Sequence, residues 1–193
     1  ITAIDEDPVA VVEAVVAPNA DPLISAQQAT QVSNEIQARI PPVVFGDSVV
    51  LGARESLKAV MGEISIDAAV SRQPEEIAER IRARRDEKRL GPDVVIHMGT
   101  NGIVQEEDLK PILEELRDRN RVVVVNVRVP RVWMKPTNEM ISSLVGQYPN
   151  VRLADWNAVS KGQKGYFAPD GVHLTKTGAE VFGNLVNDTL RSP

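Results

Sequence analysis

From Val43 onward the sequence alternates short Val/Ile-rich runs with longer segments that carry apolar residues at helical spacing. Nothing else in the chain limits the fold as much. Continuous apolar runs belong to strands buried on both faces, and strands separated by helices pair in parallel. Strands are expected at Val43–Phe45, Ile64–Val70, Asp93–Met98, Val122–Val127 and Val151–Ala154. Helices are expected at Val49–Met61, Pro74–Arg89, Glu106–Arg119, Asn138–Tyr148 and Thr177–Leu190. In the first helix Val50, Ala53, Leu57, Val60 and Met61 share a face, and Gly62 supplies the stop. In the second, Pro74 stands at the start, Glu75 and Glu76 follow in the first turn, and the end is basic, as the helix dipole favours. Five strands alternating with five helices describe an α/β domain: a flavodoxin-like, doubly wound three-layer α/β/α sandwich around a five-stranded parallel sheet.

Residues 1–40 differ from this pattern. They mix Ala, Val and acidic residues with Pro8, Pro18 and Pro22 as breakers, which suits a linker or an arm laid on the surface. Gln27 to Ile40 can form one short helix, which Pro41-Pro42 ends, so the domain proper is expected over 41–193. The first residue is Ile rather than Met, as expected of a processed product or an excised piece.

Composition removes several function classes. The net charge of −5 speaks against a general nucleic-acid binder, which would present a basic face. The absence of cysteine excludes disulfide scaffolds, thiolate zinc sites and cysteine nucleophiles. Two histidines, His97 and His173, are too few for a multi-histidine metal site. Apolar runs are strand-sized, far short of the roughly 20 residues that span a bilayer, and no signal-peptide pattern is visible.

In parallel sheets ligands gather at the carboxyl ends of the strands. The loop after the first strand is Gly46-Asp47-Ser48. A serine at a helix start can act as a nucleophile, because helix N–H groups favour developing negative charge. Alone, the triplet reads more simply as a helix cap. The loop after the third strand is Gly99-Thr100-Asn101-Gly102, where an asparagine amide can donate to an oxyanion, or where Asn-Gly only makes a turn. Before the last helix stands Asp170-Gly171-Val172-His173, where the aspartate can orient the imidazole, or where a turn merely carries a surface histidine. Together the three supply a nucleophile, an oxyanion donor, and a base with its orienting acid, the set that acyl transfer through serine requires.

In this order the three motifs resemble blocks one, three and five of the SGNH (GDSL-like) hydrolase superfamily, over about residues 43–190. The wording GDSVVLGA, DAAVSRQ, HMGTNG, VRVPRVW and DGVHLTKTG further resembles the extracytoplasmic SGNH domain at the C-terminus of bacterial membrane acyltransferases, such as the peptidoglycan O-acetyltransferases. The resemblance implies the SGNH hydrolase fold and a serine mechanism. Ser48 would be the nucleophile, His173 general base and then acid, and Asp170 its orienting partner. The Ser48 N–H and the Asn101 side chain would form the oxyanion hole. Most SGNH hydrolases complete that hole with a block-two glycine; here Ser71 stands near that place. Arg72, Gln73 and Trp133 are candidates for lining the substrate cleft; the alternatives are a surface ion pair for Arg72 and a lid over the core edge for Trp133.

The resemblance also implies an acetyl donor and a glycan acceptor as partners, with no metal or redox cofactor. It implies attachment to a membrane acyltransferase domain, as a soluble domain on the extracellular face of a bacterial membrane. Three functions compete: O-acetyltransferase, carbohydrate acetylesterase with the same residues, and a non-catalytic glycan-binding module. His97, within a strand, is expected to be a buried structural histidine. The basic run Arg80 to Arg89 is expected to be the solvated face of a helix. Tyr166 and Phe167 either wall the cleft or pack beneath the loop.

Overall fold

The computed structural model describes residues 2–4, 28, 30, 31, 35 and 40–192. Five parallel strands form the centre: β2 (Val43–Gly46), β3 (Ser65–Ala69), β4 (Asp93–His97), β5 (Arg121–Val125) and β6 (Val151–Ala154). A sixth strand, β1 (Thr2–Ile4), joins the edge antiparallel to β3, pairing Thr2 with Ala69 and Ile4 with Asp67. The order across the sheet is β1-β3-β2-β4-β5-β6. The five-stranded parallel sheet is therefore as expected, in the flavodoxin order, with its switch point between β2 and β4. The added edge strand comes from the segment read as an arm. Gln28, Thr30, Gln31 and Glu35 are helical; the rest of the short helix anticipated at 27–40, up to residue 39, lies outside the described residues.

Alternate residues of each strand face opposite layers. Val43, Phe45, Val94, Ile96, Val122 and Val124 pack against α2 (Pro74–Asp86), α3 (Glu106–Glu115) and α4 (Met134–Val145). Val44, Val95, Val123 and Val125 pack against α1 (Ser48–Met61) and α6 (Lys176–Arg191). A four-residue helix α5 (Trp156–Val159) follows β6.

Local chemistry sets the helix ends. The Asp47 carboxylate caps α1 by accepting the Val49 N–H at 2.9 Å, and Gly62 closes it at φ 78°. In α2 the Gln73 N–H donates to the Glu76 carboxylate at 2.8 Å, with Pro74 in the first turn. That helix stops at Asp86 rather than Arg89, because Lys88 takes a left-handed conformation, φ 58°. Helix α4 starts one turn before Asn138; Pro136 sits in its first turn, where a missing N–H costs no hydrogen bond. The basic run on α2 is not wholly solvated: Arg84 is buried, and both Arg80 and Arg84 turn inward to Asp67.

Candidate active site

Ser48 is the first residue of α1, at the carboxyl end of β2 and beside the switch point. Its backbone N–H therefore has no acceptor within the helix. Gly46 makes the sharp turn possible: a Cβ there would overlap Val50. The residue is 9% exposed.

The structure brings Asp170 and His173 to this serine across 125 residues of sequence. The His173 Nε2 lies 3.1 Å from Ser48 Oγ, and Nδ1 lies 2.6 Å from Asp170 Oδ2. The turn that holds them is fastened by the Ala168 N–H to the His173 carbonyl at 2.7 Å, with Gly171 at φ 71°. Asp170 Oδ1 accepts the amides of Val172 and His173 at 2.9 and 3.0 Å. The His173 imidazole, helped by those two amides, holds the Asp170 carboxyl down to about 2. An ionised carboxylate only accepts, so Nδ1 carries the proton and Nε2 turns its lone pair to the Ser48 hydroxyl. The pair remains open to solvent, with side chains 53% and 48% exposed for His173 and Asp170.

Asn101 is exposed in the loop after β4, and its Nδ2 donates to the Arg72 carbonyl at 3.3 Å. A primary amide has two N–H groups, so one remains for a ligand. Gly99 tightens this loop: at φ 105° any Cβ would press on Val104, Thr137 and Val127. Ser71 adopts φ 61°, the left-handed region that favours glycine. The serine at the block-two position thus keeps a backbone that glycine would take.

The three cleft-lining candidates each make contacts within the domain. The Arg72 guanidinium turns into the domain, 4% exposed, and Nη1 donates to Asp67 Oδ1 at 2.7 Å. Only its carbonyl faces Asn101. A buried carboxylate draws the guanidinium inward, so Arg72 does not present it to the cleft. Gln73 caps α2, and its amide donates to the Ser71 carbonyl at 2.9 Å. The Trp133 indole donates to the Gly99 carbonyl at 3.0 Å and so braces the Asn101 loop. His97 is buried as expected, edge-on to Phe182 and 3.4 Å from Asp47. Burial pushes the Asp47 carboxyl up, but His97, Thr100 and the Val49 amide outweigh it and hold it below the usual range. Tyr166 and Phe167 pack beneath the loop on Trp156, with ring centroids 6.1 and 5.8 Å away.

Sequence reasoning missed the Asp67–Arg72 pair, although a lone acid inside the strand Ile64–Val70 was its signal. It also missed Asn138, whose amide makes two bonds to the Val127 backbone, at 2.9 and 2.8 Å, and so fixes the end of the β5 segment.

No protein-family model matches the chain. The peptidoglycan O-acetyltransferase OatA of Listeria monocytogenes is 38% identical over 148 residues, 77% of this chain. The chain spans about a quarter of that relative, 24% of its length. Among solved structures, the C-terminal catalytic domain of Streptococcus pneumoniae peptidoglycan O-acetyltransferase A matches with a TM-score of 0.72 at 23% identity. That match covers 78% of this chain and 92% of the other. The family 3 carbohydrate esterase of Clostridium thermocellum matches with a TM-score of 0.66 at 15% identity, covering 78% and 94% of the two chains. The sheet order and these neighbours give the chain the SGNH hydrolase fold, and the relatives it matches in sequence are O-acetyltransferases.

Proposed function

We propose that this chain is the serine-dependent catalytic domain of a glycan O-acetyltransferase. The observation that carries the reading is Ser48 Oγ at 3.1 Å from an imidazole whose other nitrogen is held by Asp170 at 2.6 Å. Ser48 attacks the acetyl carbonyl of a donor ester while His173 Nε2 takes the hydroxyl proton. The tetrahedral oxyanion rests on the Ser48 N–H and the free N–H of Asn101, with the Ser71 N–H completing the set. Collapse expels the donor alcohol, which takes its proton from His173, and leaves acetyl-Ser48. An acceptor hydroxyl then attacks, His173 removes its proton, and Ser48 is restored. The similarity to a peptidoglycan O-acetyltransferase supports a cell-wall glycan as acceptor. The same similarity supports a longer protein with a membrane acyltransferase part, this domain standing on the extracellular face.

A second reading, carbohydrate acetylesterase, is favoured by one observation: the half-exposed His173 and Asp170 let water compete as acceptor. One experiment separates the two. An activated acetyl ester is offered with and without a cell-wall oligosaccharide, and acetate and acetylated sugar are followed by mass spectrometry. Serine-dependent acetyl-sugar is the expected result; serine-dependent acetate alone in every acceptor would make the domain an esterase. Ser48→Ala is expected to lower kcat by about a thousandfold or more. Full activity in that variant would sink the serine mechanism, and no turnover by either form would indicate a non-catalytic glycan-binding module.

A further inference from the structure

In the acyl-transfer reading two oxyanion donors come from separate loops, the Ser48 N–H after β2 and the Asn101 amide after β4. Both must lie about 2.7–3.1 Å from one oxygen, so the spacing of the loops matters as much as the groups themselves. The pairing of β2 with β4 ends at Phe45 and Ile96, before either donor is reached. Each donor is preceded by a buried polar residue, Ser48 by Asp47 and Asn101 by Thr100. The buried His97 stands between the two loops. Val95 faces the α1–α6 layer, and His97, two residues on, faces the same layer. There its Nδ1 lies 3.4 Å from Asp47 Oδ1, the oxygen that also accepts the Val49 N–H. Its ring packs edge-on against Phe182 of α6, the helix that follows His173. Among the described residues, Asp47 Oδ2, His97 Nδ1 and Thr100 Oγ1 are buried and have no hydrogen-bond partner outside this trio. Burial opposes charge on Asp47, yet His97, Thr100 and the Val49 amide keep it ionised. A helix cap alone needs no such arrangement, since a neutral asparagine or serine caps as well.

We propose that Asp47, His97 and Thr100 form a buried bracket between the two loops that sets the spacing of the Ser48 N–H and the Asn101 amide. They are positioning residues: none reaches the acetyl group, and each acts through the donor beside it. The inference rests on the acyl-transfer reading above and adds the groups that hold its oxyanion hole in shape. A carboxylate suits the centre of such a bracket, because its two oxygens accept from the imidazole, the hydroxyl and the helix amide together, and bonds to an ionised acceptor are the stronger kind.

The test follows turnover of an activated acetyl ester by three variants of the full chain. His97→Phe keeps a ring against Phe182 and removes the nitrogen. Thr100→Val removes only the hydroxyl, and carries the test if His97→Phe does not fold. His97→Asn puts an amide nitrogen in the place of Nδ1. His97→Phe and Thr100→Val are each expected to lower kcat about tenfold with KM within about twofold, less than the roughly hundredfold that losing a donor outright costs. His97→Asn is expected to recover most of that loss. The same changes are then made in an Asn101→Ala background. Because the bracket acts by placing that amide, breaking it there should cost less than about threefold. A merely structural role would give the same loss in both backgrounds, in step with a lowered denaturation midpoint, and would overturn the proposal. Unchanged kcat in both His97→Phe and Thr100→Val would overturn it too, as would a rise in KM with kcat unchanged. Full turnover in Asn101→Ala would overturn the oxyanion reading itself and the bracket with it. A large loss in Asn101→Ala, with bracket losses that simply multiply it, would overturn the bracket alone.

Discussion

Asp170 carries three hydrogen bonds on two oxygens, one from the His173 ring and two from backbone amides. All three favour the ionised form, led by the imidazole, so the carboxyl drops from the ordinary 3.8 to about 2. A depressed carboxyl stabilises the fold above its unfolded value and loses that contribution as pH falls through the folded one. The window here runs from 3.8 down to about 2. Carboxyl-carbon NMR should give an inflection near 2 for Asp170, and His173→Ala should move it upward but short of the ordinary value, because both amides remain. An inflection unmoved by that substitution would refute the imidazole as the main cause. Ser71 is the second residue whose conformation is informative. A non-glycine residue at φ 61° is strained by about 1–2 kcal/mol. Ser71→Gly relieves that strain but frees the unfolded chain, for a net gain of up to about 1 kcal/mol. Ser71→Val should lose about 1–2 kcal/mol, since a β-branched residue tolerates this region least. Denaturant midpoints at constant m check both. Ester turnover should survive in the glycine variant, which keeps the backbone N–H.

The loops after β3 and β4 act as one element because Arg72 ties them. Its guanidinium grips the Asp67 carboxylate and carbonyl at 2.7 and 2.5 Å, while its own carbonyl accepts the Asn101 amide. Arg80 and Arg84 also reach Asp67, so removing Arg72 does not orphan the buried charge. Arg72→Met is therefore expected to lose about 2 kcal/mol rather than the larger loss of a broken lone pair. It should lower kcat for a small ester with KM nearly unchanged, because the carbonyl of residue 72 that holds Asn101 shifts once no guanidinium ties its loop to Asp67. A rise in KM with kcat unchanged would contradict this and return Arg72 to substrate binding. Such ties explain what the sequence left illegible. The strands were readable because Val94–Ile96 and Val122–Val125 are apolar on both faces, a local pattern. The partners of Asp67 lie 5, 13 and 17 residues away on a loop and a helix, which periodicity does not encode. Thr2–Ile4 is too short for a periodic signal, and α5 has only four residues. Ser48, Asn101, Asp170 and His173 were individually weak, and only their order at strand ends made them readable. Arg72 and Gln73 stand in the loop after β3, but which way their side chains turn is decided by partners that spacing does not encode.

At the scale of the whole molecule, the chemistry depends on two helices that touch. Ser48 starts α1, and His173 stands just before α6. The two helices pack so closely that a Cβ at Gly183 would lie 3.2 Å from the Ser56 backbone. The start of α6 is pinned as well: Thr175 caps it through the Gly178 N–H at 3.1 Å and donates to the Gly165 carbonyl at 2.7 Å. Site geometry is thus a property of the α1–α6 layer on the sheet. Both core clusters draw their buried residues from 43–186 among the described residues. A chain beginning at Ile40 is therefore expected to fold with one cooperative transition and to keep its Ser48-dependent ester turnover. It loses the pairing of β1 with residues 67–69 of β3, three residue pairs at one edge, for a stability loss of about 1–2 kcal/mol. The freed β3 edge should also raise concentration-dependent self-association, because unpaired strand edges template pairing with other chains. Denaturation followed by circular dichroism checks cooperativity and stability, sedimentation at two concentrations checks self-association, and release from an activated acetyl ester checks turnover. A broad, non-cooperative transition in the shortened chain would mean that residues 1–39 are part of the domain rather than an arm upon it.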